Sequence, residues 1–252
     1  MEQNLFGTSD LASGYATSRP PVHPEIIRRF QQQSQAPLYS RALDIGCGAG
    51  LSTRALAPLT RHAIGLEPAE SMLHQARRAG VTASLVTGRG EGLPFADRSI
   101  DFMTAAGSLN YTDGLQAFFG EARRVLAPQN GGMLVYDFSQ GRNSALENWV
   151  GDFMARYPKA KDNARPLDPE TLRREAVGTF QLAWHERFRI PLLLDHNFYV
   201  DYMMTETNIA YAVRRGVATT QEIRSWCHRT LTPIFAGAKQ EILFDGYMAL
   251  LQ

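Results

Sequence analysis

Three observations predict an α/β fold of the doubly wound type. Through the first ~140 residues, apolar runs of strand length alternate with amphipathic segments of helix length, as a sheet covered by helices requires. A glycine turn, Gly46-Cys47-Gly48-Ala49-Gly50, joins an apolar strand to a following helix. No Pro/Gly/Ser-rich linker divides the 252 residues, of which 44% are hydrophobic, enough for one sizeable core. A single domain over residues 1–252 is therefore expected.

The elements follow in order from period and punctuation. The pattern predicts a helix over Pro24 to Gln33, a strand over Arg41 to Ile45, and a helix over Leu51 to Leu59 opened by Ser52 and Thr53. A strand follows over Ala63 to Leu66, ending at Glu67, then a helix over Pro68 to Ala79 and a strand over Ser84 to Val86. Phe102 to Ala105 reads as a strand, Leu115 to Leu126 as a helix and Met133 to Phe138 as a strand. From Ser139 the composition shifts toward aromatic, histidine and paired charged residues. Helices are expected over Ala145 to Arg156, Pro169 to Val177, His196 to Met204 and Thr220 to Leu231. A long strand over Gln181 to Leu194 is interrupted by Pro191, and Lys239 to Leu251 again reads as a strand.

The stretch ALDIGCGAG, Ala42 to Gly50, carries the most information. A strand ending in Gly-x-Gly-x-Gly turns tightly into a helix and keeps side chains away from a ligand lying across the turn. The dinucleotide version is G-x-G-x-x-G, with a pyrophosphate at the helix N-terminus. Here Leu51 occupies the third glycine position, and Asp44 precedes the first glycine by two residues. A carboxylate there repels a pyrophosphate and tolerates an ammonium group. Those details favour S-adenosylmethionine over NAD. Downstream, Glu67 closes the second strand at the distance where an acidic residue accepts hydrogen bonds from ribose hydroxyls. It also suits the start of the helix it precedes, since Pro68 and a nearby acid both favour helix initiation.

Further segments strengthen the pattern, and with them the chain resembles the class I S-adenosylmethionine-dependent methyltransferases of the small-molecule type, methyltransferase-11-like. GRGEGLPFADRSIDFM, Gly88 to Met103, resembles the stretch that follows the third strand and covers the adenine. AAGSLNY, Ala105 to Tyr111, resembles the end of the fourth strand, and EARRVLAPQNGGMLVYDF, Glu121 to Phe138, the helix, turn and fifth strand. GYATSRPPVHPEII, Gly14 to Ile27, resembles the N-terminal segment that closes over the cofactor. One departure stands out. The family places an acidic residue and Ala directly after Gly88 to hold the adenine amino group, where this chain has Arg89 and Gly90. Backbone groups around Gly90 and Glu91, or stacking by the Arg89 guanidinium, are the substitutes.

The resemblance implies a Rossmann-like, seven-stranded, mostly parallel sheet with an antiparallel last strand, lying beside the fifth strand with the sixth at the edge, and a helical lid. Its divisions are a cofactor-covering segment (residues 1–35), a cofactor-binding core (36–138), a substrate lid or insertion that includes the sixth strand (139–235) and the last strand (236–252). The implied cofactor contacts are Tyr15, Arg19, Asp44, Gly46, Gly48, Gly50, Glu67, Pro68, Met72, Gly88, Arg89, Gly90, Glu91 and Ala106, with S-adenosylhomocysteine as the product. Asn110 and Tyr111, together with Tyr199, Tyr202, Thr205 and Asn208 of DHNFYVDYMMTETNIA, are the candidate substrate wall. The last four share neighbouring faces if one helix runs through them. The alternative for Phe198, Tyr202 and Met203 is a packed stripe.

A methyl group on a sulfonium is already activated, so its transfer needs an in-line nucleophile, exclusion of water and sometimes a base. Tyr15 is a candidate for stabilising the sulfonium through its ring face, and Arg19 for pairing with the cofactor carboxylate. His196 is the preferred base among His185, His196 and His228 because histidine titrates near neutral pH. Two other functional classes compete: a protein that binds S-adenosylmethionine without methyl transfer, such as a cyclisation catalyst or sensor, and an NAD-dependent oxidoreductase. Leu51, Asp44 and the lack of a Tyr-x-x-x-Lys site speak against the last.

With 26 basic and 25 acidic residues interspersed, the formal net charge of +1 gives no footprint for nucleic acid. Cys47 and Cys227 are far apart, and no CxxC or His-x-x-x-His pair suggests a metal. Cys47 reads as a small buried residue. The N-terminus lacks a basic and apolar leader, and no stretch of ~18 consecutive apolar residues occurs. The expectation is a cytoplasmic enzyme with a small-molecule substrate and no membrane partner; the sequence is silent on oligomeric state.

Overall fold

The computed structural model describes residues 18–128, 131–159, 165 and 167–252; Tyr15 lies outside them, as does all of the N-terminal segment before Ser18. The elements are α1 (Val22–Ser34), β1 (Tyr39–Ile45), α2 (Leu51–Ala55), β2 (Thr60–Glu67), α3 (Glu70–Arg78), β3 (Ser84–Thr87), β4 (Phe102–Ala106), α4 (Leu115–Val125) and β5 (Gly132–Phe138). They continue as α5 (Glu147–Arg156), α6 (Pro169–Glu175), β6 (Leu182–Leu194), α7 (His196–Met203), α8 (Thr207–Arg214), α9 (Thr220–Phe235) and β7 (Gln240–Leu251). A 3-10 turn, Leu109–Tyr111, follows β4.

The strands form a seven-stranded sheet in the order β3-β2-β1-β4-β5-β7-β6. β1 pairs in parallel with both β2 and β4, and β4 with β5, whereas β7 runs antiparallel to β5 with Val135 opposite Ala249. The expected placement of the last strand beside the fifth, with the sixth at the edge, is what forms. Strand order reverses between β1 and β4, and in open α/β sheets the crevice at the carboxyl ends of such a pair is where ligands bind.

The chain groups into two compact units. One comprises Pro21–Phe138, Asn163–Phe188 and Gly246–Gln252; the other comprises Met1–Pro20, Ser139–Asp162 and Arg189–Asp245. In the first, Leu43, Ile45, Met103, Val135 and Ala249 on the sheet bury against Phe118, Phe119, Ala122 and Val125 of α4. A second aromatic stack involves Phe30 of α1, 5.3 Å from Phe102 and 6.1 Å from Trp184, with Tyr39 lying 4.5 Å from Phe102. The nearly continuous apolar runs of β1, β4 and β5 reflect strands covered on both faces. The second unit is built on aromatic packing: Trp149 stacks on Phe153 at 5.3 Å and on Trp226 at 5.5 Å, and its indole N–H donates to Thr230 Oγ1 at 2.7 Å. α9 opens with a capping box, Thr219 and Glu222 bonding each other's backbone N–H.

Several boundaries differ from expectation for local reasons. α2 stops at Ala55 instead of Leu59 because Pro58 disfavours helical geometry at the residue before it. α3 begins at Glu70, not Pro68: Ala69 is the extended N-cap, and Glu67 Oε1 accepts its N–H at 3.0 Å. α9 continues past Leu231 to Phe235 because Pro233 sits in its last turn and interrupts little of the ladder. The helix expected to run through Thr205 and Asn208 does not continue. α7 ends at Met203, Glu206 is extended, and the separate α8 starts at Thr207. The Thr205 hydroxyl donates to the Tyr202 carbonyl at 2.6 Å, a local bond that competes with helix propagation.

Candidate active site

The glycine turn sits at the carboxyl end of β1 with all three glycines in the left-handed region, at φ +66° for Gly46, +52° for Gly48 and +81° for Gly50. A side chain at Gly46 would run into Ser108, whose hydroxyl donates to the Ile45 carbonyl at 2.5 Å. One at Gly50 would press to 2.8 Å from Val81. Gly46 and Gly50 are thus required by close packing as well as by backbone conformation. At Gly48 the nearest atom is the Met72 methyl, at 3.4 Å, so the turn stays open on that side.

Asp44 does not face outward. Its carboxylate is fully buried and accepts from Ser52 and Thr53 at 2.6 and 2.7 Å and from Thr104 at 2.9 Å. Burial pushes its acid strength down, raising its pKa, and the three hydroxyls oppose that shift. A direct contact between Asp44 and a ligand is therefore replaced by a tie: it clamps β1, α2 and β4 together beneath the turn. The sequence expectation located the residue correctly and misread its partner.

Glu67 closes β2 beside the turn. Its Oε2 accepts from Gly48 N–H at 3.1 Å and its Oε1 from Ala69 N–H at 3.0 Å. Burial raises its pKa, and these two N–H groups act against that shift. Each carboxylate oxygen has two lone-pair directions, so capacity is left for ligand hydroxyls. Pro68 is exposed next to it, and Met72 is 3% exposed on the inner face of α3. Cys47 is 4% exposed, and burial with the charges of Asp44 and Glu67 raises its thiol pKa far from nucleophile range.

After β3, Gly88 N–H donates to the Glu67 carbonyl at 3.2 Å, bringing the Gly88–Glu91 turn alongside Glu67. A side chain at Gly90 would reach 2.9 Å from Phe118. Arg89 turns to Asp113 at 2.7 Å and Glu91 at 3.7 Å, with its side chain 62% exposed. Glu91 accepts from the Thr112 hydroxyl at 2.5 Å and from Asp113 N–H at 3.0 Å. Burial works to raise the Glu91 pKa, but those hydrogen bonds and Arg89 outweigh it and the net shift is downward. Because the Arg89–Asp113 pair is exposed, Arg89→Ala is expected to change stability by less than about 1 kcal/mol. Thermal unfolding measures that directly.

At the end of β4, Ala106 leads into Gly107, whose N–H donates to the Tyr136 carbonyl at 2.9 Å. Asn110 Nδ2 donates to Asp137 Oδ2 at 2.8 Å, and Tyr111 is 55% exposed. Asp137, at the end of β5, was missed in the sequence, as was His23 of α1, whose Nδ1 lies 3.0 Å from the Tyr136 hydroxyl. Acidic and histidine residues at strand and helix ends were the available signal. Only the pairing of β4 with β5 identifies which of them meet.

The second unit holds the other candidates. Arg19 pairs with Glu206 at 3.4 Å and its guanidinium lies 5.3 Å from the centre of the Tyr202 ring. Its observed partner is thus a carboxylate of the protein, whereas the sequence reading paired it with the cofactor's. Tyr199 and Tyr202 are fully buried, with both hydroxyls committed to Gly141: Tyr199 donates to its carbonyl at 2.9 Å and Tyr202 accepts its N–H at 3.2 Å. Of the packed stripe that was the alternative, Tyr202 and Met203 are buried and Phe198 is half-buried. Thr205 and Asn208 are buried with them.

His196 Nε2 lies 3.2 Å from the His228 carbonyl, which makes that nitrogen a donor, and the two rings are 5.1 Å apart. The contact fastens α7 to α9, in contrast to the base expected there. Burial, then the neighbouring His196 and Arg224, lower the His228 pKa, against an opposing pull from Asp201. A histidine with a folded pKa below its unfolded value of about 6.5 binds fewer protons when folded, so stability is lost as pH falls through that value. Thermal unfolding at pH 7.5 and 5.5 is expected to show this loss, and His228→Gln to make it shallower. Among the described residues, no group of three or more potential ligands is arranged for a metal, and no helix is long and apolar enough to cross a membrane.

A parallel sheet reversing at β1/β4, a glycine turn after β1 and an acid closing β2 are the framework of a Rossmann-like methyltransferase domain. Residues 43–135 match the family model described as a methyltransferase domain. The ubiquinone/menaquinone biosynthesis C-methyltransferase UbiE of Roseobacter denitrificans is 32% identical over 157 residues, covering 58% of this chain and 62% of that protein. The demethylmenaquinone methyltransferase of Tropheryma whipplei is 34% identical over 105 residues, covering 40% of this chain and 42% of that one. The chain thus spans less than two thirds of the length of these relatives. Among solved structures, a protein assigned as a type II methyltransferase from Anaeromyxobacter dehalogenans aligns with TM-score 0.64 and 18% identity, covering 90% of this chain and 94% of that one. That likeness is one of fold.

Proposed function

We propose that the protein is an S-adenosylmethionine-dependent methyltransferase acting on a small molecule. The observation that carries this reading is Glu67, half-buried at the end of β2 and bonded to Gly48 of the glycine turn at 3.1 Å. That placement puts a carboxylate with unused lone pairs beside an open glycine backbone, the chemistry that holds a ribose. Gly46, Gly48 and Gly50 would leave room for the amino-acid portion. Gly88, Gly90 and Glu91 would flank the adenine, with Ala106 at the end of β4, and Pro68 and Met72 would border the ribose. The open backbone at Gly48 and the absence of a third glycine at Leu51 fit this group better than a pyrophosphate.

When bound, the cofactor supplies an electrophilic methyl group on sulfur. The protein's part is to hold the acceptor in line at about 3–3.5 Å and exclude water. Asn110, fixed by Asp137, and Tyr111 are the residues of the sheet unit assigned to the acceptor side. The relatives named above act in quinone biosynthesis, which supports a small-molecule acceptor for this chain and leaves the acceptor atom, oxygen, nitrogen or carbon, open. The competing reading is a protein that binds the cofactor without transferring methyl.

Calorimetric titration with S-adenosylmethionine, S-adenosylhomocysteine and NAD tests the proposal. Binding of both adenosyl ligands and not NAD is expected, and binding of NAD alone would overturn it. Methyl release with acceptors then separates catalysis from binding. Because Arg89 is engaged with Asp113, Arg89→Ala is expected to hold S-adenosylhomocysteine affinity within about threefold, a surface ion pair contributing little. A loss above about tenfold would assign the arginine to the adenine.

A further inference from the structure

Asn110 follows the carboxyl end of β4, in the 3-10 turn Leu109–Tyr111, and is half-buried within the sheet unit. Two residues earlier the Ser108 hydroxyl donates to the Ile45 carbonyl, and a side chain at Gly46 would run into Ser108. The turn that carries Asn110 therefore abuts the glycine turn, at the crevice where strand order reverses. Its backbone is pinned as well, the Asn110 carbonyl accepting from Arg165 N–H at 2.9 Å.

The side chain is oriented by Asp137, at the end of β5. Asp137 Oδ1 accepts from Phe138 N–H at 2.8 Å, and its Oδ2 accepts from Asn110 Nδ2 at 2.8 Å. A carboxylate engaged by two N–H donors offers only acceptor oxygens, so the end of the amide that meets it is the NH2 group, and Oδ1 faces away. No described residue donates to that oxygen. The carboxylate itself is closely seated: a side chain at Gly107, which has φ +63°, would come within 3.0 Å of Asp137 Oδ1. Tyr247 stands opposite Asp137 on β7, and burial, then the charges of Asp137 and Asp168, raise its pKa.

We propose that Asp137 is a positioning residue for methyl transfer: it turns the Asn110 amide so that Oδ1 accepts a hydrogen bond from an O–H or N–H of the acceptor. That bond holds one substituent of the acceptor beside the glycine turn, whether oxygen, nitrogen or a neighbouring carbon takes the methyl. The acceptor class narrows to phenols, alcohols and primary or secondary amines, because a tertiary amine or a thioether presents no hydrogen to Oδ1. This rests on the methyltransferase reading and deepens it.

The test is calorimetric titration of the full chain, saturated with S-adenosylhomocysteine, using two probes of one skeleton: 1-naphthol and 1-methoxynaphthalene. Both are neutral, so the charges of Asp137, Asp168 and Arg165 act alike on them. The naphthol is expected to bind at least about fivefold more tightly, the effect of one hydrogen bond. In Asp137→Asn the new amide can accept or donate, so both orientations of Asn110 become available. The preference is then expected to fall to within about twofold, with S-adenosylhomocysteine affinity held within about threefold. A residue that merely supported the fold would weaken both probes together and leave their ratio unchanged. Asn110→Leu is expected to remove the preference in the same way, and both substitutions keep the shape of the residue they replace. Equal binding of the probes to the unaltered chain, no binding of either, or an unchanged ratio in either variant would overturn the proposal. Failure of S-adenosylhomocysteine to bind the unaltered chain would instead remove the methyltransferase reading, so the two failures are distinguishable.

Discussion

Glu67→Ala is expected to weaken S-adenosylhomocysteine binding by at least about tenfold, and by more than about 100-fold if both ribose bonds are lost, each hydrogen bond to a charged group contributing about 1.5–3 kcal/mol. The substitution also removes the acceptor for Gly48 N–H and Ala69 N–H, which loosens the turn and the start of α3. Glu67→Gln separates these effects: the amide oxygen keeps an acceptor for one N–H, so the turn is better preserved while one ligand bond is lost. An intermediate affinity is expected. Calorimetry on the three proteins measures both, and affinity within about threefold of the parent in Glu67→Ala would remove Glu67 from the cofactor site.

Asp44→Ala is expected to be the most destabilising single change in the site. Three hydroxyls, from Ser52, Thr53 and Thr104, lose a buried acceptor at once. At about 1 kcal/mol each, the loss is about 3 kcal/mol. In a chain of this length that corresponds to a fall in melting temperature of about 6–12 °C. Asp44→Asn keeps the shape and one acceptor oxygen, and a hydroxyl can rotate to accept from the new amide, so a cost below about 1 kcal/mol is expected. The contrast isolates the hydrogen-bonded shape from the negative charge. Equal destabilisation by the two substitutions would show that the charge is the stabilising feature.

The parts of the fold legible in the sequence were those fixed by local chemistry. β1, the glycine turn, Glu67 and the alternation through β5 follow from apolar period and from positions where only glycine fits. Helix ends were shifted where a side chain acts on the backbone, as Glu67 does at Ala69 and Thr205 at Tyr202. The break between α7 and α8 was invisible because Thr205, Glu206 and Asn208 satisfy a helical period as well as they satisfy a turn. The substrate-side reading of Tyr199 and Tyr202 failed for a related reason: a tyrosine's residue type does not reveal whether its hydroxyl meets a ligand or a backbone group such as Gly141.

The sequence by itself determined the doubly wound order of elements, the open turn after β1 and the acid after β2, because each is set by residues within a few positions of one another and by conformations that side chains forbid. Tertiary structure decided the rest. It turned Asp44 inward onto three hydroxyls from α2 and β4, brought Asn110 to Asp137, tied Arg89 to Asp113, and left the Asn208 oxygen without a partner. Hydrogen bonds are short and directional, so which donor meets which acceptor depends on the packing of distant segments to within about 1 Å. No local pattern encodes that distance.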